Sequence, residues 1–122
     1  MKTIRQRYVL FEVFTLPKNV SIHIFKEQIM KVIWDQMQIL FGQKICFKAG
    51  LWMIRWDPIN RIGIIRCDNV SKWELITSMT FITRIERIPV IFHTRKTSGT
   101  IKKTLKIWRE IFNTIPPKRD DQ

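Results

Sequence analysis

The stretch that most constrains this chain is Tyr8-Val9-Leu10-Phe11, a β-forming run that is apolar at odd and even positions alike. Side chains alternate across a strand, so a strand apolar on both parities has both of its faces covered. The flanking residues 5–14 are rich in β-formers, and Pro17-Lys18-Asn19 ends the segment. A chain of 122 residues that is 45% hydrophobic has room for one domain around such a strand and little left for a second. With 4 Gly, 5 Pro and no visible repeat, it reads neither as a linker nor as a solenoid. Apolar runs such as Ile62-Gly63-Ile64-Ile65 fall far short of the roughly 20 residues that cross a bilayer, so no membrane partner is expected. The first residues carry charge without a following apolar stretch closed by small residues, and no secretory signal is read there.

Periodicity sets the order of elements after that strand. At 100° per residue Ile22, Phe25, Ile29, Ile33, Met37 and Leu40 share one stripe, which predicts a helix over 21–41 closed by Gly42. Ile24 and Trp34 lie off this stripe and are expected at the surface. Segments 51–56 and 61–67 read as a hairpin around Asp57-Pro58-Ile59-Asn60, where Asp and Pro suit a type I turn. Ser71-Lys72-Trp73-Glu74 has the spacing of a capping box and opens a helix expected to reach residue 85. Leu75, Ile76, Met79 and Ile82 form its apolar face, with Trp73 and Phe81 off it. Pro89 limits a last strand to about 90–95 and favours an edge or entry position. A third helix is expected over 99–113, where Ile101, Leu105, Trp108 and Phe112 share a face and Lys102, Lys106 and Arg109 flank it. Pro116-Pro117 stops it, and 114–122 reads as a flexible polar tail on a single domain of residues 1–113.

The order β-α-β-β-α-β with an added helix is that of an α+β, ferredoxin-like (split βαβ) antiparallel sandwich. Two helices cover one face of its sheet, and the added C-terminal helix is the natural cover for the other, which accounts for the doubly apolar first strand. Cys46 and Cys67 fall in strand-like segments with no metal-type spacing and read as reduced core thiols of a cytosolic or nuclear protein.

Charge points to a partner. The formal net charge is +12 and the pI about 10.3, which favours a polyanion, nucleic acid before anionic lipid. Lys2, Arg5 and Arg7 lie in an acid-free start, and Arg95, Lys96, Lys102, Lys103, Lys106 and Arg109 in an acid-free stretch near the end. Within that stretch Ser98-Gly99-Thr100 has the form of a helix N-cap, whose free N–H groups and dipole suit a phosphate ringed by the neighbouring cations. Bases stacked on sheet aromatics are a common use of this topology, but the strand 61–67 lacks aromatic residues. Trp52 and Trp56 read as core or rim rather than a stacking platform. The two histidines, His23 and His93, stand seventy residues apart outside any ligand spacing, and no nucleophile elbow, P-loop or dinucleotide fingerprint is present. Catalysis by this chain's own side chains is not expected.

Several segments together resemble a known family. Arg7-Tyr8-Val9-Leu10-Phe11-Glu12, Trp56-Asp57-Pro58 running into Gly63-Ile64-Ile65-Arg66-Cys67, Met79-Thr80-Phe81-Ile82-Thr83 with Pro89-Val90, and Ser98-Gly99-Thr100-Ile101-Lys102-Lys103 resemble, in order, the Pop-five type protein subunit of ribonuclease P and ribonuclease MRP. The related Rpp-fourteen type is also close. The resemblance implies an RRM-like sandwich that is not itself catalytic. It implies binding to the catalytic RNA, which with Mg²⁺ removes the 5′ leader of precursor tRNA, while the protein holds no cofactor. It implies pairing with the TIM-barrel-like ribonuclease P subunit, and location in nucleus and nucleolus, or in the cytoplasm of an archaeon. The residues expected to bind RNA are Lys2, Arg5, Arg7, Arg95, Lys96, Ser98, Gly99, Thr100, Lys102, Lys103 and Lys106; those expected to dock a protein are Ile24, Trp34, Trp73 and Phe81. The rival reading is a free-standing basic RNA- or DNA-binding module of the same topology.

Overall fold

A computed structural model describes residues 5–16 and 23–114, with side chains to 113. The elements run β1 (Gln6–Thr15), α1 (Lys26–Phe41), α2 (Gln43–Ala49), β2 (Trp52–Asp57), β3 (Ile62–Asp68), α3 (Lys72–Phe81), β4 (Arg84–Ile85), β5 (Ile88–Ser98) and α4 (Ile101–Thr114). The sheet order is β2-β3-β1-β5-β4, with β1 antiparallel to both neighbours, Val9 opposite Ile65 on one side and Thr97 on the other. With the short α2 and β4 set aside, this is the ferredoxin-like order expected from the sequence.

The doubly apolar β1 is explained by two cores. Val9, Phe11 and Val13 pack with Ile29, Ile33 and Met37 of α1 and Leu75 and Met79 of α3 on one side of the sheet. Leu10, with Ile62 and Ile64 of β3, packs against Trp108 and Ile111 of α4 on the other. At about 25 cal/mol per Å² of apolar area, each face contributes a substantial share of the burial that orders so short a chain. Gly63 is required where β3 passes the first core. A Cβ there would sit 2.7 Å from Phe11 Cζ and 2.9 Å from Trp56 Cε3, whose rings stack at 6.0 Å.

Several local expectations are corrected. The first helix starts at Lys26, not at residue 21, because residues 23–25 are not helical, Phe25 is extended, and the Gln28 side chain accepts the Phe25 N–H at 2.7 Å. Ile22 and the 17–19 break lie outside the described residues. Gly42, at φ 92°, caps α1 as expected, but the chain re-enters a helix, α2, that ends at left-handed Gly50 and carries the buried Cys46. Cys46 is therefore helical rather than in a strand; both cysteines are free and buried. The Ser71 side chain makes no capping bond; Asp68 Oδ1 accepts the Ser71 N–H at 2.7 Å and fixes the turn into α3. That helix ends at Phe81, so Ile85, expected in it, lies in β4. The last strand runs through Pro89, which pairs with Arg84, and on to Ser98. The hairpin forms as expected, with Asp57 Oδ1 accepting the Ile59 N–H at 2.9 Å and Arg61 turning left-handed at φ 55°.

Candidate nucleic-acid interface

The second layer, α4 on the sheet, places the cations. Its inner face is apolar: Thr104 and Trp108 are buried and Leu105 and Ile107 pack against the same core, which leaves Lys102, Lys103, Lys106 and Arg109 exposed on the outer face. Thr100, Lys102, Lys103, Lys106 and Arg109 line one shallow depression on the outer face. The cluster expected from the sequence is thus assembled on one surface. Among the described residues the ion pairs are Lys31–Asp35 and Arg95–Glu12, and His93 Nδ1 lies within hydrogen-bond distance of Glu12 Oε1, at 3.0 Å. Lys96, Lys102, Lys103, Lys106 and Arg109 are exposed and take part in none of them.

Strand β5 extends this ridge. The β1–β5 pairing shifts between Leu10 and Phe11, which pair with Lys96 and Thr94, so Arg95 is the extra residue of a bulge. In a regular strand Arg95 and Lys96 would face opposite sides. Here Lys96 stands opposite Leu10, on the α4 side, and Arg95 Nη1 reaches Glu12 Oε1 at 3.1 Å on that same side. The 95–109 stretch, acid-free in sequence, therefore acquires an acid in space, and Arg95 is partly neutralised by Glu12.

The start of α4 differs from the expected cradle. Ser98 is buried and precedes the cap; its Oγ accepts the Thr100 N–H at 3.3 Å. Thr100 is the N-cap, its Oγ1 accepting the Lys103 N–H at 3.3 Å while Thr104 Oγ1 bonds its carbonyl at 2.9 Å. Two donors counted on for a phosphate are thus used internally. Gly99 has another role: a Cβ there would lie 2.5 Å from Arg7 Nη1, so its absence lets the Arg7 guanidinium reach the base of the ridge. Arg5, two residues earlier, is exposed, and Lys2 lies outside the described residues. Arg55, which the sequence did not single out, stands over the Trp108 ring at 5.8 Å and adds a cation beside α4.

The residues expected to dock a protein divide. Ile24 is fully buried in the first core, which corrects its assignment to the surface: the helical wheel does not apply to the non-helical segment it occupies, and its carbonyl accepts the Trp56 indole N–H at 2.9 Å. Trp34 is half-buried, packed on the core and met edge-on by Phe47 of α2 at 5.6 Å. Trp73 and Phe81 are 65% and 61% exposed, with Lys72 Nζ 5.2 Å over the Trp73 ring. Among the described residues no group of three or more His, Cys, Asp or Glu could hold a metal ion, and no helix is long and apolar enough to cross a membrane. Burial, with Asp68 and Glu74 nearby, pushes the Cys67 thiol up to about 12.

An antiparallel split-βαβ sheet covered on both faces, with a carboxylate-poor cationic ridge along its extra helix, defines an RRM-like module suited to a phosphate polymer. The chain belongs to the Rpp14/Pop5 family, whose sequence profile matches residues 7–108. It is 32% identical over 99 residues to "Ribonuclease P protein component 2" of Pyrococcus furiosus, covering 81% of this chain and 78% of that protein. It is 29% identical over 108 residues to the protein of the same name in Archaeoglobus fulgidus, covering 88% and 91%. Its fold matches a chain in the cryo-EM structure of yeast ribonuclease MRP with a TM-score of 0.68 at 10% identity, covering 94% of this chain and 99% of that one.

Proposed function

We propose that this chain is a non-catalytic protein subunit of ribonuclease P, and of ribonuclease MRP where a cell has one, that binds and stabilises the catalytic RNA. The observation that carries this reading is the ridge: five exposed cations, Lys96, Lys102, Lys103, Lys106 and Arg109, without a carboxylate partner among the described residues. It belongs to a chain whose relatives are named as protein components of ribonuclease P. Spaced along one helix face and one strand end, these groups neutralise phosphates of a folded RNA and reward its shape more than its bases. Arg5, Arg7 and Lys2 extend the contact from the start of the chain. Cleavage of the 5′ leader from precursor tRNA belongs to the RNA and its Mg²⁺, and the protein supplies neither nucleophile nor metal. In a eukaryotic cell the subunit acts in the nucleus and nucleolus, where the MRP enzyme serves rRNA processing; in an archaeon it acts in the cytoplasm.

Trp73 and Phe81, exposed on α3 across the sheet from the ridge, dock a protein neighbour, for which the TIM-barrel-like subunit is our candidate. The test is reconstitution. The chain, cross-linked to RNA in cells, should recover one abundant structured RNA, and added to the other subunits it should raise leader cleavage at low Mg²⁺ while cutting nothing alone. Recovery of a broad RNA population, with no effect on cleavage, would instead identify a free-standing binding module.

A further inference from the structure

Helix α4 packs on Leu10, Ile62 and Ile64 and leaves one corner of its side of the sheet open. There β1 and β5 present Glu12, Phe14, Ile91 and His93, with Glu12 opposite His93 and Phe14 opposite Ile91. Phe14 is 39% and Ile91 51% exposed, and the Phe14 and His93 rings lie 6.3 Å apart. Arg95 borders the patch and, among the described residues, is engaged through Nη1 alone, both Glu12 oxygens bonding that atom at 3.1 and 3.2 Å. The rest of its guanidinium keeps its donors.

We propose that this corner, Phe14 and His93 flanked by Arg95 and Lys96, is a stacking site for an unpaired nucleobase of the bound RNA. The proposal rests on the RNA-binding reading above and adds a contact that the cationic ridge alone does not make. Exposed rings on a sheet are costly in water, and a base covers them with a flat π-face while its phosphates stay outside. The charges fit that occupant. Arg95 and Lys96, turned to one side by the bulge, belong both to the ridge and to the rim of the patch, so a strand leaving the ridge keeps its phosphates on cations as its base reaches the rings. Glu12 is 14% exposed at its side chain and shared between Arg95 and His93; it orients both groups and offers little free charge to repel phosphate. The platform lies on β1 and β5, whereas β3, the strand weighed for stacking from the sequence, lacks aromatic residues and is covered by α4.

The test uses the full chain and eight-nucleotide single-stranded RNAs, each carrying one 2-aminopurine. Stacking quenches that fluorophore and phosphate contact does not. The expected result is quenching on binding, with Phe14→Leu and His93→Ala each abolishing it and weakening binding roughly 5- to 100-fold, and His93→Tyr restoring both. Phe14→Leu keeps an apolar side chain at a half-open position, and an unchanged melting curve verifies its fold. Lys102→Ala with Lys103→Ala should weaken binding yet leave the quench of the saturated complex intact. If structured RNA binds with its full salt dependence while no oligonucleotide is quenched, or the quench survives both ring variants, the stacking site is refuted and the scaffold function stands. If Phe14→Leu instead loses only association with a protein subunit, the patch is a protein-docking surface and the proposal fails. Absence of salt-dependent binding to structured RNA would remove the function itself.

Discussion

The double variant Lys102→Ala/Lys103→Ala tests the ridge quantitatively. Both side chains are exposed on the outer face of α4 and join no ion pair among the described residues, so their loss should leave stability within about 0.5 kcal/mol. Each cation on a double-helical phosphate array releases about 0.9 counterion. Five unpaired ridge cations therefore give a plot of log K against log salt with a slope of roughly −4 to −5. Losing two should make the slope shallower by about 1.8. Because the effect acts through the salt term, it amounts to about fivefold per contact at 0.15 M, or roughly 30-fold for the pair, and shrinks toward 1 M. The assay is filter binding of the catalytic RNA over a potassium chloride series at fixed low Mg²⁺. Lys31→Ala is the control, since Lys31 lies on α1, in the other layer, and pairs with Asp35 at 2.8 Å. A loss of affinity equal at every salt concentration would refute the counterion argument, and an equal effect of Lys31→Ala would refute the ridge.

Other outcomes follow from particular contacts. Glu12→Gln releases Arg95 from its ion pair and should tighten RNA binding and steepen the salt slope by up to about 0.9. Gly63→Ala forces a methyl group into the Phe11–Trp56 stack and should cost about 1–3 kcal/mol in denaturant unfolding, with no change in salt slope for the folded protein. Ile24→Ala should cost about 2–5 kcal/mol, as befits a core residue; a surface residue would show almost nothing. Cys67 should resist thiol reagents at pH 8 until the chain unfolds. Its folded value of about 12 lies above that of the free thiol, so its contribution is complete below about pH 8.5 and is lost as pH rises toward 12. Cys67→Ala should flatten the alkaline stability curve, read by urea midpoints.

The architecture was legible because its signals are local and periodic. Residues 8–11 announced a strand covered on both faces, and the apolar stripes of α1 and α4 supplied covers for the two sides. The basic stretch that ends the chain was visible as composition, and helical spacing alone put Lys102, Lys106 and Arg109 on one flank, where α4 carries them. Where a wheel was applied to residues that are not helical, it failed. Ile24 reads as surface on a helix and is core in the non-helical segment it occupies. Helix α2 was missed although Gly42 and Gly50, both at positive φ, bracket it, because seven residues are too few to show a period.

What sequence could not reveal is which charges meet. The order of residues presents 95–109 as free of acids, yet strand pairing brings Glu12 across from 83 positions away to pair with Arg95. A bulge, invisible as a pattern, turns Arg95 and Lys96 to one side, and side-chain geometry makes Thr100 rather than Ser98 the cap of α4. Hydrophobic periodicity depends on neighbours a few residues apart and is written along the chain. Electrostatics and hydrogen bonding depend on distances of a few ångströms through space, and only the folded sheet sets those.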